Sequence, residues 1–286
     1  MTKGRVIKNY NGYYYVDTGT GALVECRRRG KMKTKILVGD ELDITEVGPG
    51  QGVVEDVLPR RNALRRPAVA NIDQMIIIMA AAEPDPNTFL IDKMLMTCEY
   101  SDIHPKICFN KCDLNEERAR ELQAYYERCG YTSYVVSAHT GEGLASILSS
   151  LPGKVTAFAG PSGVGKSSLL ATILKRNDLS IGSVSEKIKR GRHTTRHSEI
   201  MYVADQTYVV DTPGFSALDF DHVEPRTVMQ LMPDLACYLG QCRFGSCLHR
   251  SEPGCAVKDA VAAGRIEPGR YETYCKIIDS IRERKR

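Results

Sequence analysis

The sequence predicts an α/β protein in three parts: a small N-terminal β-barrel, a central open parallel sheet covered by helices, and a short helical tail held by a metal. Three observations predict it. Short β-prone segments separated by Gly, Asn and Asp fill the first sixty-odd residues. From Asn71 onward, continuous apolar runs alternate with amphipathic helical stretches, the pattern of a parallel sheet. Near the C-terminus, Cys242, Cys247, His249 and Cys255 crowd into one short span.

At 286 residues the chain has room for two or three domains. Its longest apolar run, Met75–Ala82, is far too short to span a bilayer. Met1-Thr-Lys-Gly-Arg5 is polar, so no signal peptide is expected, and the expected location is cytoplasmic, away from membranes. In that compartment the ten cysteines are read as reduced thiols or metal ligands. The net charge of +4 is mild, so where the cations cluster matters more than their sum.

In the barrel, strands are expected at residues 5–8, 12–17, 22–26, 36–38, 41–46 and 52–57. That many short strands at such spacing suggest an OB-fold. A basic loop, Arg27–Lys35, interrupts them, with Tyr13, Tyr14 and Tyr15 close in sequence. Cations for phosphates and rings for bases suit nucleic acid; a solvated loop beside a tyrosine-rich core strand is the plainer reading. Arg60, Arg61, Arg65 and Arg66 extend the basic surface into what reads as a linker.

In the central part, Met75–Met79 reads as a buried parallel strand. Asn87 is the predicted N-cap of a helix burying Leu90, Met94, Leu95 and Cys98. Lys106–Phe109 is the next strand, and a helix follows with Asn115 as cap, Glu116 and Glu117 in its first turn and Gly130 as its stop. Ser133–Val136 and Val155–Ala159 are further strands, and Thr207–Val210 is the last.

Four of these strands end in residues that carry chemistry, which is where open parallel sheets bind ligands. Gly160-Pro161-Ser162-Gly163-Val164-Gly165-Lys166-Ser167, followed by Ser168, is a complete phosphate-binding loop between a strand and a helix. Its N–H groups and the helix N-terminus suit phosphate oxygens, Lys166 the β- and γ-phosphates, and the Ser167 hydroxyl Mg²⁺. Asn110-Lys111-Cys112-Asp113 fits N-K-x-D: an ionised Asp113 accepts from both N1–H and N2–H₂ of guanine, whereas adenine offers one donor and one acceptor. Asn110 is expected to hold the base loop, Lys111 to cover the ring face, and Ser137-Ala138 to support it. Asp211-Thr-Pro-Gly214 fits D-x-x-G, with Asp211 acting on Mg²⁺ through water and the Gly214 N–H on a γ-oxygen. Thr194 or Thr195 supplies the second Mg²⁺ hydroxyl, with Thr195 preferred; helix-capping threonines are the alternative. Phe215 stands where Ras-like enzymes carry the Gln that orients water, so intrinsic hydrolysis is expected to be slow, with His193 a substitute once its loop is ordered.

The motif order, N-K-x-D before the phosphate loop, is that of a circularly permuted GTPase. With Gly191-Arg-His-Thr-Thr195, Asp211-Thr-Pro-Gly-Phe215 and the tail cysteines, the whole chain closely resembles the RsgA (YjeQ/YloQ) family, the small-ribosomal-subunit GTPases of bacteria. The resemblance implies late maturation of the 30S subunit, contact with its 16S rRNA, hydrolysis stimulated by the subunit, and a catalytic role for the histidine matching His193. A monomer is expected.

In the tail, three thiolates and one imidazole suit a closed tetrahedral Zn²⁺, a structural ion, and the family's tail has this same spacing. Cys237 is a rival ligand, though a buried thiol is the favoured reading, while Cys26, Cys98, Cys108, Cys112, Cys129 and Cys275 lack ligand spacing and are read as ordinary thiols. The parts are taken as barrel 1–66, permuted GTPase unit 67–219 and zinc-binding helical tail 220–286. The chain passes from Gly214 through Phe215–Phe220 straight toward the tail, so ordering of Gly214 by the γ-phosphate is expected to bias the tail's position. Two other readings are an RNA-binding assembly factor that uses GTP as a structural ligand, and an ATP-dependent kinase, against which Asn110–Asp113 argues.

Overall fold

The structure is a computed structural model and describes residues 1–19, 22–30, 32–65, 67–176, 200–212, 220 and 223–284. Strands β1 (Thr2–Tyr10), β2 (Tyr13–Asp17), β3 (Leu23–Arg28), β4 (Glu41–Gly48) and β5 (Gln51–Val57) close a barrel in the order β1-β2-β3-β5-β4. Only β3 and β5 run parallel; the other pairs are antiparallel. This is the predicted barrel of OB type. Buried and part-buried residues alternate along β2, β4 and β5, so every second side chain fills a core that includes Val16, Leu42, Ile44 and Val54.

Two sequence expectations fail here. Residues 36–38 form no strand, only a single parallel bridge from Val38 to Val69. The buried Asp40 carboxylate accepts from Leu37 N (2.6 Å), and Asp40 N donates to Leu37 O (3.2 Å), which turns the chain instead. The presumed linker is also structured, because β6 (Ala63–Arg65) and β7 (Ala68–Ala70) form a hairpin. Asn62 clamps its base by exchanging two hydrogen bonds with Ile72, of 2.8 and 2.9 Å. Arg60 is held by Asp40 at 2.6 Å and Arg61 by Asp73 at 2.7 Å, so these two cations are paired within the fold.

The central sheet has the order β10-β9-β8-β11-β13-β12, built from β8 (Gln74–Ala80), β9 (His104–Asn110), β10 (Ser133–Val135), β11 (Val155–Ala159), β12 (Ile200–Ala204) and β13 (Thr207–Asp211). All neighbours are parallel except β12 and β13. Both β8 and β11 are buried along their whole length, as strands covered on both faces must be. From β8, Met75, Ile77 and Met79 face helices α1 (Thr88–Tyr100) and α2 (Glu116–Arg128). Ile76 and Ile78 face α3 (Leu144–Leu148) and α4 (Lys166–Arg176). The predicted caps form: Asn87 accepts from Leu90 N and Asn115 from Arg118 N, each at 3.0 Å. Strand β12 escaped the sequence reading, although Ile-Met-Tyr-Val-Ala followed by Asp205 and Gln206, both at positive φ (34° and 59°), is a hairpin signature.

The barrel packs against this edge hairpin. Tyr208 of β13 donates its hydroxyl to the buried Asp17 carboxylate of β2 at 2.8 Å, and the Arg5 guanidinium lies 5.3 Å above the Tyr208 ring.

The tail comprises α5 (Pro225–Gln230), α6 (Pro233–Ala236), α7 (Ala256–Ala262) and α8 (Pro268–Arg284) around its own apolar core. Phe220 and Met96 of α1 belong to that core, which fastens the tail to the sheet unit. Across the same junction the fully buried Arg270 of α8 pairs with Asp92 of α1 (2.8 Å) and with both carboxylate oxygens of Asp234 (2.8 and 2.9 Å). Nothing in the sequence marked that triad.

Candidate functional site

The sequence places a strand, a glycine-rich turn and a helix in succession, and the structure folds them as β11, residues 160–165 and α4. Glycine is required by geometry at two points. A Cβ on Gly160 would sit 2.3 Å from Ile78 O, and one on Gly165 (φ 86°) would sit 2.3 Å from Asn110 Nδ2. The loop can therefore lie directly against the ends of β8 and β9. Gly160 and Val164 are buried, while Ser162, Gly163, Ser167 and Ser168 are exposed and Pro161 and Lys166 are half-buried. A polar rim thus faces outward at the start of a helix, where N–H groups lack partners and favour an anion.

Asn110, the last residue of β9, joins two loops that are distant in sequence. Its buried Nδ2 donates to Val164 O in the phosphate loop at 2.8 Å, and its Oδ1 accepts from Ala138 N at 3.0 Å. One side chain thereby sets the spacing between the residues expected to hold phosphate and those expected to hold base. The Ser137 hydroxyl accepts from His139 N (3.2 Å) and Thr140 N (3.1 Å), which fixes the turn that presents Ala138. Lys111 adopts a positive φ (62°) and donates to Glu83 O, tying the segment after β8 to the base loop. Asp113 is exposed at the same sheet edge. Asn110→Ala should weaken GTP binding roughly tenfold or more, since an orphaned buried Val164 carbonyl alone costs about 1–3 kcal/mol. Titration with a fluorescent guanine nucleotide checks this, and unchanged affinity would mean that the loops hold their own spacing.

Asp211 ends β13 beside the phosphate loop. Its Oδ1 lies 3.3 Å from Lys166 Nζ, close enough for charge attraction, yet this buried atom accepts no hydrogen bond. A buried carboxylate oxygen left without a donor next to a phosphate loop fits a hydrated Mg²⁺. Next to it, Thr212 is locked in place, its hydroxyl donating to Phe158 O at 2.7 Å. His193, Thr194, Thr195 and Gly214 lie outside the described residues, as does Phe215.

The tail assembles the predicted metal ligands. The ligand atoms of Cys242, Cys247, His249 and Cys255 all lie within 4.8 Å of one another. His249 Nδ1 is 3.4, 3.5 and 3.3 Å from the sulfurs of Cys242, Cys247 and Cys255, and the Cys242 and Cys255 sulfurs are 4.0 Å apart. Tetrahedral Zn²⁺ with its usual bond lengths places S and N about 3.6 Å apart and two sulfurs about 3.8 Å apart, so the donor set fits. Cys237 stays outside the cluster, and against the expectation of a buried thiol it is exposed, on the turn after α6, with its thiol directed to Asp234 O at 3.3 Å. Burial pushes the Cys247 thiol up to about 12, so a bound metal is what would turn it into a thiolate.

Glu252, absent from the sequence reading, shapes this loop. Its carboxylate accepts from the N–H groups of Leu248 (2.9 Å), Arg250 (2.8 Å) and Ser251 (3.1 Å). Burial alone would raise its pKa, but these donors outweigh burial and hold it at about 2. The Tyr271 hydroxyl donates to His249 O at 2.6 Å and that of Tyr274 to Leu248 O at 3.1 Å, so α8 carries the ligand loop. Strong chelation or Cys247→Ala should abolish hydrogen-exchange protection around 242–255 while nucleotide affinity changes little, because thiolate ligation couples metal to local folding. A metal-free preparation with a fully protected tail would contradict this.

The profile of the RsgA GTPase family matches residues 57–221, and that of the RsgA N-terminal domain matches residues 3–54. A protein of Moorella thermoacetica named small ribosomal subunit biogenesis GTPase RsgA is 44% identical over 287 residues, covering 99% of each chain. A protein of the same name from Agathobacter rectalis is 42% identical over 299 residues, with the same coverage. Among solved structures, that of YloQ, described as a circularly permuted GTPase, superimposes with a TM-score of 0.85 at 33% identity, covering 100% of this chain and 96% of its own. YjeQ from Thermotoga maritima does so with a TM-score of 0.85 at 36% identity, covering 98% of each chain. With a nucleotide site built from permuted motifs and relatives matched end to end, the chain belongs to the RsgA family of GTPases.

Proposed function

We propose that this chain hydrolyses GTP to GDP and phosphate during late maturation of the small (30S) ribosomal subunit, which stimulates the reaction. The observation that carries the reading is the Asn110 bridge, which holds a phosphate loop and an N-K-x-D loop at one sheet edge. The relatives' names supply the biological setting: each is a small ribosomal subunit biogenesis GTPase.

The roles follow from chemistry. N–H groups of residues 160–168 cradle the phosphates, and Lys166 neutralises the β/γ oxygens. Ser167 and Thr195, with Thr194 the alternative, would hold Mg²⁺, and Asp211 would act on it through water. When bound, that ion offsets charge developing on the phosphates. Gly214 N–H meets the γ-phosphate, and His193 positions the attacking water. Asp113 reads guanine, with Lys111 over the ring and Ser137 and Ala138 supporting it. Asp113→Asn should cost GTP about 1.5–3 kcal/mol of affinity, since an amide donor then meets guanine's donors. Xanthosine triphosphate, whose carbonyl replaces the N2 amine, should recover part of the loss. Equal losses for both nucleotides would reduce Asp113 to a loop brace.

The division into barrel (1–66), GTPase unit (67–219) and zinc-binding tail (220–286) belongs to this proposal. So do a monomeric state, a cytoplasmic location and 16S rRNA as the surface gripped by the outer parts. Among the described residues no helix is long and apolar enough to cross a membrane. For the RNA surface the supporting observation is on the barrel, which presents Arg27 over the Tyr13 ring (4.5 Å) and Lys8 over Tyr15 (5.9 Å).

Phe215, in place of a water-orienting Gln, favours one second reading, GTP as a structural ligand of an assembly factor. Single-turnover hydrolysis with and without purified small subunits separates the two. Acceleration by subunits is expected; bound GTP that persists in their presence would overturn the enzymatic reading.

A further inference from the structure

Over the metal-ligand cluster the tail holds a cavity of about 180 Å³, lined by Arg226, Met229 and Gln230 of α5, by Leu239 and Phe244 from the loops, by Tyr274 of α8 and by three of the four metal-ligand residues. Sites for whole drug-sized molecules run to about 300–1,000 Å³, so this one admits a single ring system or side chain. Two of the chain's exposed large apolar side chains sit on its rim, Leu239 at 46% and Phe244 at 43% exposure. Arg243 lies 5.5 Å from the Phe244 ring centre, which adds a cation beside the mouth.

Charge narrows the occupant. Apart from the metal ligands, the only formal charge among the described lining residues is that of Arg226. Three thiolates around a divalent ion would leave one negative charge, opposite in sign to Arg226 on the same wall. The interior is therefore near neutral, apolar and sulfur-rich, with the Gln230 amide able to donate and accept. Outside it the Arg243 guanidinium is available to an anion. A flat, neutral, hydrogen-bonding ring attached to a phosphate backbone matches each of these features, and splayed bases are commonly held between aromatic side chains and guanidinium groups.

We propose that this cavity receives one extruded base of unpaired RNA, with Phe244 as the stacking face, Gln230 on the base edge and Arg243 on the adjoining phosphate. The proposal rests on the reading that the chain docks on the small ribosomal subunit. It adds a point of base contact separate from the barrel.

The test uses the full chain bound to purified small subunits with a non-hydrolysable GTP analogue. Short-wavelength ultraviolet crosslinking is followed by mass spectrometry of nucleotide–peptide adducts, alongside pelleting titrations of Phe244→Ala and Phe244→Tyr. Zinc content per chain is measured to show that the ligand loop survives each substitution. An adduct within residues 226–247 is expected. Phe244→Ala should weaken subunit binding roughly tenfold, and Phe244→Tyr should restore it. Wild-type binding with adducts confined to the barrel and an undisturbed Phe244→Ala would overturn the pocket while leaving the ribosomal reading intact. Lost binding in Phe244→Ala without any adduct in this region would assign the cavity to a ribosomal protein side chain, also overturning it. Failure of the wild-type chain to pellet would remove the ribosomal reading itself.

Discussion

Arg270→Ala should destabilise the junction between tail and sheet unit by about 3–5 kcal/mol, the cost of removing one partner from a buried ion pair. The guanidinium is fully buried and bonds Asp92 at 2.8 Å and both oxygens of Asp234, with the Tyr131 hydroxyl at 3.3 Å. Removing it strands Asp92, whose carboxyl is already raised because burial outweighs the pull of Arg270. A carboxyl raised in the fold contributes stability that is full below its unfolded value of about 3.9 and lost as pH rises. The deficit of Arg270→Ala should therefore be larger at pH 7 than near pH 4. Urea unfolding followed by helix circular dichroism at both values measures it. Replacing Arg270, Asp92 and Asp234 together by apolar residues should recover much of the loss, since the pair is weak as net stabilisation and costly only when broken. An Arg270→Ala chain of unchanged stability would mean that the junction's other contacts, the apolar packing of Met96 and Phe220 and the Arg128–Glu267 ion pair (2.6 Å), hold the tail without it.

His193→Ala should lower subunit-stimulated turnover by roughly a hundredfold or more while sparing GTP affinity and subunit binding, the scale of general-base or positioning roles. The basic segment Lys187–His197 precedes β12, and the hairpin β12–β13 delivers Asp211 to the phosphate loop. Strand β13 is tied to the barrel through Tyr208 and Asp17, and Phe220 beyond the D-x-x-G segment is buried in the tail core. The nucleotide switch is thus flanked in sequence by attachments to both outer parts. We propose that subunit RNA contacts this basic segment and that His193 then positions the attacking water. Single-turnover rates with saturating subunits test it. Full stimulation in the variant would transfer the positioning role to Arg192, Arg196 or a ribosomal group.

The sequence by itself determined the OB-type barrel, the phosphate loop, its neighbouring motifs and the metal ligands. Each is a local pattern: strand alternation, caps at Asn87 and Asn115, glycines where a Cβ would collide, donors spaced for one ion. Backbone geometry and ligand chemistry act within a few residues, so their demands are visible in short stretches. Only the tertiary structure decided the rest. It turned the apolar 36–38 segment through Asp40, paired the cations of a presumed linker, and let Asn110 join loops that are neighbours only in space. The Arg270 triad shows the reason most plainly, for Asp92 lies 178 residues from its partner. A buried charge is tolerated only where another charge and full hydrogen bonding meet it, and that meeting is a property of packing with no local signature in the chain.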